Sequence, residues 1–222
     1  MREVVLDTET TGLSIKDGHR IVEIGCIELD DLVPTKNIFH SYLNPERKVS
    51  EKAFEVHGYS DEFLLEKEKF INVVDDFLNF IKDKKIIIHN AEFDISHLNN
   101  ELSLIGKENI TKENIVDTLD IARNKFPGSA ISLDALCKRF RIDNSRREKH
   151  TALIDCELLA KVYINLLDQK EPTLNFASHS ELKQSQDLKK NIEYSKKILI
   201  PSIDEIKNHK EFIKRDLKKN FY

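Results

Sequence analysis

Cysteine is scarce in this 222-residue chain. It holds three, Cys26, Cys137 and Cys156, which are odd in number and far apart. No two of them form a C-x-x-C pair, so neither a disulfide framework nor a zinc site is expected. All three read as buried, unpaired thiols. Also missing is any run of about 20 apolar residues, the length a membrane helix needs. The N-terminus shows no signal-peptide pattern, because the apolar run Val4-Val5-Leu6 stops at Asp7. A soluble, cytoplasmic protein without membrane contact is the expectation. Internal repeats are absent as well.

A surplus of positive charge is lacking too. The formal net charge is −4, and it is unevenly spread. Residues 171–222 carry 11 Lys and Arg against 8 Asp and Glu, whereas residues 1–170 carry 24 against 31. A long basic track for nucleic acid is therefore excluded from the main body of the chain. If that body handles DNA or RNA, it must grip a few nucleotides, use bound cations, or have a partner present the strand.

What the chain does have is a core. Its residues are 40% apolar, and a domain of about 170 residues buries roughly 70% of its unfolded surface. Residues 3–8, 20–29 and 37–43 read as strands, spaced for an antiparallel meander. Across the second, Ile21, Glu23, Gly25 and Ile27 fall on one side and Val22, Ile24 and Cys26 on the other. The period then changes. Phe70, Val73, Val74, Phe77, Leu78 and Ile81 recur at three and four residues, which predicts an amphipathic helix. Ile86-Ile87-Ile88 predicts a short buried strand over 85–89, and a helix follows over 91–105. A fifth strand over 115–118 and helices over 132–140 and 151–167 complete an α/β domain with a mixed sheet. Residues 1–170 form that domain, and 171–222 form a linker and a tail. In the tail, Ser202 and Glu205 make a capping box, and Ile203, Ile206, Ile213 and Leu217 follow on one stripe.

The chemistry sits in acids. Asp7 and Glu9, two apart at a strand end, point to the same face. On their own they read as solvated carboxylates as readily as cation ligands. Asp94, in His89-Asn90-Ala91-Glu92-Phe93-Asp94, opens a helix, where an acid often only complements the helix dipole. Asp155 is more telling. Its helix is apolar nearly all round, and Asp155 lies on the side opposite Glu157, turned inward. An inward acid needs a cationic side chain or a metal beside it. His150, five residues earlier, is either a cap residue or a general base.

In this order and at these spacings the pieces resemble the DEDD exonucleases of the histidine subclass, which have a ribonuclease H-like fold. Residues 1–167 resemble in particular the family of proofreading epsilon subunits of bacterial DNA polymerase III. The stretches Val5–Gly12, Phe54–Gly58, Asp61–Leu65, Ser132–Cys137 and Ile142–Ser145 carry that likeness. The resemblance implies a mixed sheet flanked by helices, with a flexible tail that ends in a short helix. It also implies metal-dependent 3′→5′ hydrolysis of a DNA end, releasing 5′-mononucleotides. Asp7, Glu9, Asp94 and Asp155 would hold two Mg²⁺ or Mn²⁺ ions, with His150 as the general base. Asp7, Glu9, Thr10, Thr11, Gly12, Leu13, Val56, His57, Phe93 and Asp155 would contact the terminal nucleotide. Lys52 would as well, at a position where the best-known relative has a glutamate. Asp117 is expected to be structural.

Partners follow from the same resemblance. The C-terminal tail would bind the alpha subunit of DNA polymerase III. Thr173, Leu174 and Phe176, after Glu171, would touch the sliding clamp. A small theta-like subunit is a further candidate partner. The rival readings are a DEDD exonuclease that trims RNA 3′ ends and a non-catalytic adaptor between clamp and polymerase.

Overall fold

Three strands open the chain: β1 (Arg2–Thr10), β2 (Ile21–Asp30) and β3 (Val33–Tyr42), paired antiparallel in sequence order. The computed structural model describes residues 2–168 and 201–216, which belong to two units. The β2–β3 hairpin turns on Asp31 and Leu32, whose φ values of 47° and 66° suit the type I′ turn that matches strand twist. Strand β3 starts four residues earlier than the expected 37–43. It is the edge strand, exposed along Val33, Pro34 and Lys36, so its first half carries no apolar alternation.

Strands β4 (Lys85–Ile88) and β5 (Ile115–Asp117) join on the other side, β4 parallel to β1 and β5 parallel to β4. The order β3-β2-β1-β4-β5 puts β1 in the centre of the expected mixed sheet. Both faces are covered. Val4, Leu6, Ile24, Cys26, Ile86 and Ile88 pack with residues of α3 (Phe70–Ile81) and α4 (Ala91–Leu104). Val5, Ile27, Leu29 and Ile87 pack with α5 (Thr118–Lys125), α6 (Leu133–Phe140) and α7 (Ala152–Leu166). Burial on both faces is why β1 and β4 read as unbroken apolar runs. Ile21 joins the first cluster, with Ile24, and not the side of Ile27 as alternation alone suggested. A register shift at Glu9/Thr10, which brings Thr10 opposite Ile21, breaks the alternation there.

Three helices escaped the periodicity. In α1 (Glu51–His57) only His57 is buried, in α2 (Asp61–Leu65) only Leu64, and in α5 only Thr118 and Ala122. None has a stripe long enough to register. Each instead begins at a side-chain cap, from Ser50, Ser60 and Asp117 respectively. All three cysteines are buried and unpaired. Among the described residues, no helix is long and apolar enough to cross a membrane.

In the second unit, α8 (Ile203–Asp216) carries the expected capping box. The Ser202 N–H donates to Glu205 Oε2 at 2.8 Å, and the Glu205 N–H donates to Ser202 Oγ at 3.2 Å. Of the residues expected on one stripe, Ile203 and Ile206 are exposed. Leu217, the linker and Thr173, Leu174 and Phe176, the residues expected to touch the clamp, lie outside the described residues.

Candidate active site

Asp7 and Glu9 share the strand parity of Val5, which turns them toward the α7 side of the sheet. Close approach of α7 to β2 brings the other acid to them. Gly25 makes this possible, because a Cβ there would sit 2.6 Å from the Ala152 carbonyl carbon and 2.8 Å from the Leu153 nitrogen. Asp7 is the register partner of Gly25. One turn further along α7, the Cys156 thiol donates to the Gly25 carbonyl at 3.2 Å and Asp155 is buried beside it.

The start of α7 is fixed by a buried acid. Glu23 accepts from the Ala152 N–H at 2.9 Å and from the Tyr59 hydroxyl at 2.7 Å, and His40 Nε2 lies 2.7 Å away. One carboxylate thus joins β2, β3, the turn after α1 and the first turn of α7. The segment before α7 is held in turn to α1, with the His150 N–H donating to the Val56 carbonyl at 3.1 Å. His150 therefore stands between the end of α1 and Asp155.

Asp94 enters from α4. Thr8 holds it through its N–H at 3.0 Å and its hydroxyl at 2.7 Å, both to Oδ1. Asn90 precedes α4 in a left-handed conformation, and Asp117 secures that turn. The Asp117 carboxylate accepts from the N–H groups of Asn90, Ala91 and Leu119. Asp117 is structural, as expected, since it serves the starts of α4 and α5 together.

These acids crowd one another. Burial, then Asp94, Glu9 and Asp155, push the Asp7 carboxyl well above its usual range. Burial and the neighbouring Asp155, Glu23 and Asp94 push Glu9 up to about 8. Asp94 rises to about 7, chiefly through burial, against the two bonds from Thr8. His150 is lowered by burial and by Arg147 beside it, which favours the neutral imidazole. Ligand atoms of Glu9, His150 and Asp155 lie within 4.8 Å of one another, close enough to share one cation. An acidic cluster that cannot ionise cheaply, with oxygen donors converging on one space, fits hard divalent cations.

The space is a cavity of about 960 Å³. Asp7, Glu9, Asp94, His150 and Asp155 line it, together with Thr10, Gly12, Leu13, Lys52, Val56, His57 and Phe93. Leu13 is 83% exposed at the rim. His57 is buried, its Nδ1 accepts the Tyr59 N–H at 3.0 Å, and the other side of its ring faces the Thr10 backbone. Thr11 stands apart. It is fully buried, and its hydroxyl lies 3.0 Å from His19 Nδ1 and accepts the Arg20 N–H at 3.1 Å.

Periodicity and spacing did not single out Arg147. Its guanidinium grips Asp155 with Nε and Nη2, each at 2.6 Å, and reaches Asp134 with Nη1 at 2.7 Å. Arg147 is thus the cationic side chain that an inward Asp155 calls for. The signal was that unmet need; nothing in the sequence separates Arg147 from Arg146. Glu23 was visible as an acid on an otherwise apolar side of β2, next to a glycine.

The chain matches the model of the exonuclease family over residues 4–163. It is 46% identical over 224 residues to the DNA polymerase III subunit epsilon of Rickettsia conorii, covering 98% of this chain and 97% of that protein. With the DNA polymerase III subunit epsilon of Escherichia coli the identity is 45% over 193 residues, 83% of this chain and 79% of that protein. The fold is similar to the nuclease domain of 3′hExo, a DEDDh family member solved with rAMP bound. The TM-score is 0.66 at 17% identity, over 76% of this chain and 92% of that one. The sheet and its helices thus have the ribonuclease H-like arrangement.

Proposed function

The chain belongs to the exonuclease family, among the epsilon subunits of bacterial DNA polymerase III, and from that membership we infer a proofreading 3′→5′ exonuclease that removes 3′-terminal nucleotides from DNA. The observation that carries this reading is the convergence of Asp7, Glu9, Asp94, Asp155 and His150 on one open cavity. The non-catalytic adaptor is disfavoured because every side chain the chemistry requires is present there.

The four carboxylates are the proposed holders of two divalent cations, Mg²⁺ or Mn²⁺. When bound, such cations neutralise the acids, make a water more acidic and offset charge on the phosphate. His150 takes the proton of the attacking water, for which a neutral imidazole is the right form. Thr10, Gly12, Leu13, Val56, His57 and Phe93 border the terminal nucleotide, with Thr11 shaping the turn from behind and Lys52 at the exposed edge. His57 offers an N–H there, since its Nδ1 is occupied by the Tyr59 N–H. A frayed mismatched end costs less to unpair, and selectivity follows from that cost more than from contacts to bases. Residues 1–170 do the chemistry. The tail recruits the alpha subunit of the polymerase, with clamp contact through Thr173, Leu174 and Phe176 and a theta-like subunit as a further partner.

The test is hydrolysis with Mg²⁺ or Mn²⁺ on 3′-mismatched DNA beside matched RNA. Mononucleotide release from the DNA is expected, abolished in Asp7→Ala with the melting temperature kept, and abolished in Asp155→Ala, which also strips Arg147 of its buried partner and should melt lower. Faster digestion of the RNA, or wild-type rates in either variant, refutes the assignment.

A further inference from the structure

Arg147 is the cation that this structure places in the site. Its side chain is 7% exposed and that of Asp155 is 5% exposed, so water cannot substitute for either partner. The fork is complete, with Nε on Oδ1 and Nη2 on Oδ2, both at 2.6 Å. The same Nη2 lies 2.8 Å from His150 Nδ1. A guanidinium can only donate, so His150 Nδ1 accepts and the neutral imidazole carries its proton on Nε2. Neither ring nitrogen then has a free lone pair, and a base without one cannot take a proton. One side chain thus occupies both oxygens of a proposed ligand and the lone pair of the proposed base. Asp134, on α6, holds Nη1 at 2.7 Å and is 55% exposed, so a carboxylate is already in place to keep the guanidinium after it lets go of the other two.

We propose that Arg147 is a resting-state latch: it serves as the counter-ion of Asp155 until a divalent cation displaces it, and its departure frees His150 at the same time. This rests on the metal-ligand reading of Asp155. The latch lets a cluster of acids exist without metal. It also couples the two requirements of hydrolysis, because the base becomes available only when Asp155 has been taken over. A purely positioning arginine has the opposite signature, since a residue that merely aims Asp155 helps the cation to bind.

The sign of the change in metal affinity separates the two. Full-length wild type, Arg147→Met, Arg147→Lys and Asp155→Asn are titrated with Mn²⁺ by calorimetry and melted with and without it. Methionine keeps an unbranched stem but offers no N–H. R147M should bind Mn²⁺ about tenfold more tightly, corresponding to about 1.4 kcal/mol. It should melt lower than wild type without metal and gain more on adding Mn²⁺. R147K, which keeps the charge and loses the fork, should fall between the two, and it carries the comparison if R147M does not melt cooperatively. Affinity that is unchanged or weaker in both arginine variants, while Asp155→Asn binds less, overturns the latch and leaves the ligand reading standing. Unaltered Mn²⁺ binding in Asp155→Asn sinks the ligand reading itself.

Discussion

Gly25→Ala is a one-methyl change at a residue that carries no reacting group itself, yet it should cripple the enzyme. The new Cβ would meet the Ala152 carbonyl carbon at 2.6 Å, its oxygen at 2.8 Å and the Leu153 nitrogen at 2.8 Å. All three are helix backbone, which cannot swing aside as a side chain can. Carbon atoms rest at about 3.5–4.0 Å from one another, so α7 or β2 must back away by about 1 Å. Glu23 and Cys156 resist that movement through their bonds to Ala152 and Gly25. Overpacking of this kind costs about 1–3 kcal/mol of stability. The larger effect falls on the site. Asp155 rides on α7 and Asp7 sits opposite Gly25 on β1, so a shift between them widens the gap across which they act together. A misplacement of about 1 Å can cost about 10²-fold in rate. The variant should therefore lose about 10²-fold in kcat/KM on single-stranded DNA while still melting cooperatively a few degrees below wild type. A folded Gly25→Ala protein with wild-type turnover would refute the claim that contact between α7 and β2 sets the geometry of the site.

Three further outcomes are expected. His150→Ala should lower kcat by about 10²–10⁴-fold and recover partly at high pH, where hydroxide replaces the base; a pH–rate profile like that of wild type removes His150 from the role. In metal-free protein, Glu9 and Asp94 have folded pKa values of about 8 and about 7, above their ordinary 4.5 and 3.8. Their contribution to stability is thus present below about pH 4 and lost as pH rises to about 8, so the melting temperature should fall over that window and Mg²⁺ should restore much of it; a flat metal-free profile contradicts the crowding. Finally, a chain cut after residue 170 should digest single-stranded DNA at near full rate but gain nothing from added polymerase, while Leu174→Ala with Phe176→Ala should weaken only clamp association. A fragment that bound polymerase as tightly as the whole chain would show that the tail is not the tether.

Much of the fold was legible because each face of the sheet writes a separate pattern. Val4-Val5-Leu6 and Ile86-Ile87-Ile88 are continuous because helices cover both faces, and α3 shows its stripe because Phe70, Val74 and Phe77 meet one of them. Helices α1, α2 and α5 were hidden since each buries only one or two side chains and is set by caps. The acids were legible for a similar reason, as Asp7 ends the apolar run of β1 with Glu9 two residues on, and Asp155 breaks a helix that is otherwise apolar. The polar frame around them was not. Glu23 and Tyr59 act through partners far off in the chain, the Glu23 bond to Ala152 spanning 129 residues, while Arg147 meets Asp155 eight residues on from a segment outside any helix or strand. No local period can announce such pairs.

The closure of α7 over β1 and β2 also sets a schedule for the newborn protein. Cys156 reaches back to the Val5 carbonyl across 151 residues, and Asp155 beside it completes the acids that Asp7 begins. Until α7 has been made, a growing chain holds Asp7, Glu9 and Asp94 without Asp155 or His150. At about 5–20 residues per second, roughly 7–30 s separate synthesis of the first acid from synthesis of the last. Throughout that interval the proposed site lacks one of its four acids, so on this assignment the growing chain cannot yet hydrolyse DNA.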